Sequence, residues 1–206
     1  MPALPPQTQI IKNRRAHRVV LPALPEARVV TEKVLLTGRP GCGKTTLIKC
    51  VVNNLPGRAG GFYTEEIRDG GTRAGFKIVT LDGKDVVFAH VCLQTPERVA
   101  KYGLDLSVLE TVGVEAVREA VRRRRLVVID EIGPMEIRSP IFRDAVNEAL
   151  DSEVPVLATI FARPLPFTDA IKSRPDVTLI EVRPNNRERL VSELVDRIRA
   201  LNPILL

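Results

Sequence analysis

Gly38-Arg39-Pro40-Gly41-Cys42-Gly43-Lys44-Thr45 fits the spacing G-x-x-x-x-G-K-[ST]. Glycines so placed leave backbone N–H groups free to converge on an anion, and a helix beginning there adds its positive end. The pattern implies a phosphate loop for a nucleoside triphosphate, with Gly38, Arg39, Pro40, Gly41, Cys42, Gly43, Lys44, Thr45 and Thr46 around the phosphates. Lys44 is expected to reach the β- and γ-phosphates, and the Thr45 hydroxyl to help hold Mg²⁺. Much later, the apolar run Leu126-Val127-Val128-Ile129 ends in Asp130-Glu131. An apolar strand closing on a carboxylate is the second element such a site needs. Asp130 would hold Mg²⁺ through water. Glu131 would orient, or take a proton from, the water that attacks the γ-phosphoryl group. The plainer alternatives are a cap or turn residue at 130 and an exposed turn acid at 131.

The chemistry needs elements to carry it. Val34-Leu35-Leu36 reads as a buried strand entering the loop. Leu47, Ile48, Val51, Val52 and Leu55 recur at helical spacing until Pro56-Gly57 stops them. Residues 61–68, 75–81 and 86–89 read as strands joined at Asp69-Gly70-Gly71 and Asp82-Gly83, an antiparallel meander inserted after the first helix. Val108, Leu109, Val112, Ala116, Val117 and Val121 make one helical face. Leu126 to Ile129 has no polar interruption, as a strand buried on both faces requires. Ser139-Pro140 opens a helix, followed by a strand at 154–160, a short helix at 166–173, a strand at 177–182 and a last helix bearing Leu190, Leu194 and Ile198. Alternation of this kind predicts an α/β P-loop fold, a mostly parallel sheet covered by helices on both faces. Parallel strands deliver their ends to one edge, so the loop and the acids would meet there.

A chain of 206 residues, 44% hydrophobic, suits one such domain over residues 31–206. Residues 1–30 form a proline-flanked leader, read either as a disordered arm or as a cover strand using Arg18-Val19-Val20-Leu21. No run approaches the ~18 apolar residues of a membrane span, and Met1-Pro2-Ala3-Leu4-Pro5-Pro6 lacks the order of a secretory signal. Cys42, Cys50 and Cys92 are odd in number without metal-ligand spacing, which favours a cytoplasmic, reducing home. Cys42 reads as a small loop filler rather than an oxidisable thiol. The net charge of +6 invites a nucleic-acid reading. Much of the excess lies in Lys12, Arg14, Arg15 and Arg18 and in Arg122 to Arg125. The second group suits a helix C-terminus, with Glu119 one turn earlier. Aromatics make up only 4% and none is Trp, so nucleic acid stays the weaker candidate partner and a monomer acting on a nucleoside triphosphate is expected.

Asp130-Glu131-Ile132-Gly133 also satisfies D-x-x-G, the mark of switch GTPases. That reading requires an Asn-Lys-x-Asp guanine clamp, and none of Asn147, Asn185, Asn186 or Asn202 is followed by Lys. A broad nucleotide range is therefore expected.

The phosphate loop, residues 61–68, Arg73-Ala74-Gly75-Phe76 and Val128-Ile129-Asp130-Glu131-Ile132-Gly133-Pro134-Met135-Glu136 together resemble the small P-loop nucleoside-triphosphatase family first met in thermophiles, whose human member is called cancer-related nucleoside triphosphatase. Tyr102, Asp105-Leu106, Ala158-Thr159-Ile160 and Asn186-Arg187 add to the likeness, which runs from about Lys33 onward. The resemblance implies slow, Mg²⁺-dependent hydrolysis of ATP, GTP, CTP and UTP to the diphosphate and phosphate. Pro134 departs from it, standing where relatives often carry Lys. Further candidates are Thr159 as a γ-phosphate sensor or a packing residue, Arg163 as a transition-state cation, and Arg187 stacking on the base or opening the last helix. Glu65, Glu66 and Arg68 would line the cleft or pair across the meander. The alternative function on this fold is a nucleotide or nucleoside kinase, although the stretch 161–166 is short for a water-excluding lid.

Overall fold

The computed structural model describes residues 31–201, so the leader, with its expected arm or cover strand, lies outside the described residues. The run at Val34 is strand β1 (Lys33–Thr37), and the periodic segment after the loop is helix α1 (Lys44–Asn53). The meander is β2 (Ala59–Asp69), β3 (Thr72–Thr80) and β4 (Asp85–His90), antiparallel at both joins. Two strands too short to show alternation, β5 (Arg98–Val99) and β6 (Tyr102–Leu104), extend it.

The helical face expected from Val108 onward is built in three pieces. They are α2 (Leu106–Val108), a π-helical stretch over Leu109–Val114, and α3 (Glu115–Arg122). Apolar spacing alone does not separate a wide turn from an α-turn, because both keep the same side chains on the core side. Glu119 pairs with Arg122 (2.7 Å) and Arg123 beyond the last turn of α3, so part of the basic run closes a helix. Then come β7 (Leu126–Ile132), α4 (Pro140–Asp151), β8 (Val156–Ile160), α5 (Pro166–Lys172), β9 (Val177–Glu181) and α6 (Arg187–Leu201). Ser139 caps α4, its hydroxyl accepting from the Phe142 N–H at 3.1 Å.

Among the described residues, the nine strands share one sheet in the order β5-β6-β4-β3-β2-β7-β8-β1-β9. The stretch β2-β7-β8-β1-β9 is parallel, and β2 joins it through Ala59 to Tyr63 before its second half runs out into the meander. Side-chain alternation splits each central strand between two cores. Val34, Leu36, Leu126, Val128 and Leu157 meet α1 and α6. Leu35, Val127, Ile129, Val156 and Ala158 meet α3 and α4 on the other face. The expected two-sided cover is thus built from the odd and even positions of the same short apolar runs.

Candidate nucleotide site

The phosphate loop leaves β1 at Thr37 and enters α1 through Gly43, the helix N-cap at φ 95. Side chains avoid that left-handed region. A β-carbon on Gly43 would also lie 2.6 Å from Nη1 of Arg187, because the first side chain of α6 drapes over the loop there. The left-handed backbone is what demands glycine, since the guanidinium is the end of a flexible side chain and can move aside. No side chain caps the first turn of α1 and no acid stands in it, so its N–H groups and positive dipole end meet no counter-charge from that turn. Lys44 Nζ reaches back to the Gly38 carbonyl at 3.3 Å. Cys42 packs into the apolar cluster beneath α1, as a loop filler should. Arg39, Pro40 and Gly41 form the exposed bend, and Thr46 is exposed beside it.

Asp130 lies inside β7 near its end rather than beyond the strand, opposite Tyr63 of β2. Alternation puts it on the face of Leu126 and Val128, toward α1. Asp130 is 2% exposed and Thr159 fully buried. The Thr159 hydroxyl donates to Asp130 Oδ1 at 2.5 Å, which gives this threonine a definite polar partner. Oδ2 of Asp130 is buried without a partner among the described residues. Burial drives the Asp130 carboxyl above its ordinary range, while the Thr159 and Thr45 hydroxyls and the Lys44 and Lys49 charges pull the other way. Burial also raises Glu131; Lys44 opposes that rise and Asp130 adds to it. Lys44, Thr45, Asp130 and Glu131 thus share one electrostatic neighbourhood, brought together from the start of α1 and the end of β7.

The remaining candidates divide. Arg187 is half-buried against the loop, whereas Arg163 is exposed after β8, with its carbonyl engaged by Lys172 at 3.4 Å. Glu65 pairs with Lys77 (3.3 Å) across the meander and with Lys49 of α1, tying the hairpin to the helix that carries the phosphate loop. Glu66 pairs with Arg68 (2.5 Å) and with Arg73. The pairing reading of these acids holds. Lys49 also sits 4.2 Å over the Tyr63 ring, a contact that sequence reasoning did not foresee.

Glu136 was missed as well. It is 6% exposed, and burial followed by the charge of Glu131 pushes its carboxyl up to about 8. A signal existed in the lone acid between Met135 and Ile137, in the turn that follows Asp130-Glu131. A separate cavity of about 390 Å³ opens at the far end of α1, among Val52, Leu55, Gly57, Leu81, Ala120 and Arg123. It lies away from the phosphate loop. Among the described residues, no helix is long and apolar enough to cross a membrane.

Known proteins resemble this chain in sequence and fold. A family profile described as NTPase matches residues 33–195. Nucleoside-triphosphatase THEP1 of Thermotoga petrophila is 49% identical over 166 residues, 79% of this chain and 90% of the relative. The crystal structure of THEP1 from the hyperthermophile Aquifex aeolicus superposes with a TM-score of 0.74 at 38% identity, over 81% of this chain and 98% of that one. The solution structure of a human cancer-related nucleoside triphosphatase gives 0.71 at 37% identity, over 82% and 98% of the two chains. The match spans the loop, the acids and the sheet that joins them: the chain belongs to the NTPase family.

Proposed function

We propose that this enzyme hydrolyses nucleoside triphosphates to the diphosphate and phosphate, with Mg²⁺ and with a broad range covering ATP, GTP, CTP and UTP. The observation that supports it most is the shared neighbourhood of Lys44, Asp130 and Glu131. An ammonium, a helix N-terminus and a buried acid are what a terminal phosphate with its cation needs on three sides.

The residues fit Mg²⁺. Oδ2 of Asp130 is a buried acceptor in want of a donor, which a cation-bound water would supply, and Thr45 would offer a hydroxyl oxygen beside it. Mg²⁺ takes few protein ligands alongside phosphate and water, so the lack of a three-acid cluster among the described residues is no obstacle. When bound there, Mg²⁺ offsets the negative charge of the β- and γ-phosphate oxygens. Lys44 and the N–H groups of residues 38–46 bind and orient the triphosphate. Glu131 directs the attacking water and takes up its proton. Arg187 flanks the loop where a base can rest on its guanidinium. The free thiols of Cys42, Cys50 and Cys92 favour a reducing cytoplasm.

Phosphate release from each triphosphate, with and without Mg²⁺, tests the reading. Lys44→Ala should abolish turnover. Glu131→Gln should bind nucleotide normally and turn over at least tenfold more slowly. Undiminished hydrolysis by the Gln variant would remove Glu131 from the mechanism.

A further inference from the structure

We propose that Lys49 is a positioning residue, one that fixes the rotation of α1 against β2 and so aims the first turn of that helix, with Thr45, at Asp130. The inference rests on the roles proposed above for Lys44, Thr45 and Asp130, and Lys49 acts through them.

α1 begins inside the phosphate loop with no side chain capping its first turn. Its apolar anchors, Leu47, Ile48 and Val51, are buried in the cluster beneath it. Apolar contact is non-directional and does not by itself fix how a helix is rolled on a sheet. Lys49 supplies the direction. Its ammonium pairs with Glu65 and sits 4.2 Å from the centre of the Tyr63 ring. Tyr63 and Glu65 are two residues apart on β2, hence on one face of the sheet. Both are held from behind. Glu65 stands opposite Lys77 of β3 and pairs with it at 3.3 Å, and Lys77 pairs in turn with Asp85. Tyr63 stands opposite Asp130 of β7, so the two are cross-strand neighbours on the face that α1 covers. Thr45 and Lys49, four residues apart on α1, share one face of the helix, and the first acts on Asp130 while the second rests on Tyr63. Two such points, one helical turn apart and on neighbouring strands, fix a rotation that one leaves open. With Lys49 latched, the Thr45 hydroxyl and the Lys44 ammonium keep a single direction, of the kind that a shift of about 1 Å forfeits. Lys49 and Glu65 each keep 34% of the side chain exposed, so their pair adds little to stability and its value is orientation.

The test uses the full chain and three readouts: phosphate release from ATP across a range of Mg²⁺ concentrations, equilibrium binding of ATP in EDTA, and thermal melting. Lys49→Met keeps the stem and loses the charge. It should lose at least fivefold in kcat and need at least fivefold more Mg²⁺ for half its maximal rate. Its binding of ATP in EDTA should stay within twofold, since the backbone of the phosphate loop is untouched, and its melting midpoint should change by less than about 3 °C. A general loosening of the fold would weaken metal-free binding as well. Lys49→Arg retains a cation for both Glu65 and the Tyr63 ring and should stay within twofold of the parent. Lys49→Met added to Glu65→Gln should be no more than twofold slower than Lys49→Met alone, because the two residues form one latch. Glu66→Gln breaks only pairs with Arg68 and Arg73 inside the hairpin and should also stay within twofold.

Lys49→Met within twofold of the parent in kcat and Mg²⁺ requirement overturns the inference. So does Lys49→Arg or Glu66→Gln as impaired as Lys49→Met, or a loss of metal-free binding as large as the rise in Mg²⁺ requirement. If Lys49→Met does not fold, Glu65→Gln at parental kcat and Mg²⁺ requirement overturns it instead. A Lys44→Ala enzyme at full speed, or a parent indifferent to Mg²⁺, fails the underlying reading and this inference with it. An inactive Lys44→Ala beside an unimpaired Lys49→Met fails this inference alone.

Discussion

Lys33 at the start of β1 and Asp130 near the end of β7 are each 2% exposed, yet the fold treats the two charges differently. Lys33 Nζ donates to the carbonyls of Ala149 (3.3 Å), Ser152 (2.7 Å) and Val154, filling all three of its donor positions. Those carbonyls lie at and just beyond the C-terminal end of α4, where a helix has acceptors to spare and a negative dipole end. Burial lowers the Lys33 amine to about 8, and Asp176 opposes that fall. Asp130, at the opposite edge of the sheet, has one hydroxyl donor on Oδ1 and none on Oδ2 among the described residues. A buried charge met in full by backbone acts as a fastening. One met in half keeps an acceptor without a donor, and it raises the free energy of the fold that holds it.

The sharpest way to break this contrast is to remove each charge and measure turnover. Asp130→Ala should lose at least a hundredfold in phosphate release, of the order seen when a charge-stabilising group is deleted, without a drop in melting midpoint. Lys33→Met, assayed well below its own melting point, should stay within threefold of the parent. Equal inactivation of both variants would erase the distinction. The stability readout runs the other way. Lys33→Met strips three carbonyls of their donor and should cost about 3 kcal/mol in denaturant unfolding. A change under about 0.5 kcal/mol would mean that Lys33 fastens nothing.

A subtler test concerns Glu136, whose carboxyl stands at about 8 against an ordinary 4.5. Between those values the folded state keeps a proton that the unfolded chain has released. The unfolded state then binds fewer protons, so stability falls as pH rises through that window, by up to about 1.4 kcal/mol per pH unit for one group. Glu136→Gln should flatten the fall and melt higher than the parent at pH 8. A profile identical to the parent's would show that Glu136 does not hold its proton. The smallest effect belongs to the surface. Arg123→Ala removes an exposed pair with Glu119 and should change stability by less than about 0.5 kcal/mol, against the larger loss at Lys33.

The two edges also differ in how far they could be read in advance. The loop 38–46 is contiguous, and its glycines and lysine occur at a spacing with few other uses. Asp130-Glu131 was legible because an apolar run closed on acids. Lys33 gave no such warning, since its acceptors are backbone carbonyls and every residue carries one. Glu136 was overlooked because its meaning depends on Gly133 and Glu131 crowding the same space, which residue types do not state. The π-helical stretch Leu109–Val114 was hidden for a related reason, as its apolar face matches that of an α-helix.

Residue order alone determined most of the strands and helices and which face of each is apolar, and it carried the contiguous motif on which a phosphate site is expected. Periodicity encodes these because it is a local property of the backbone. Only the tertiary structure decided that β8 lies between β7 and β1, placing Thr159 against Asp130, and that Arg187 at the start of α6 covers Gly43. Strand order and such approaches arise from packing between distant segments, and no spacing along one segment records its neighbours.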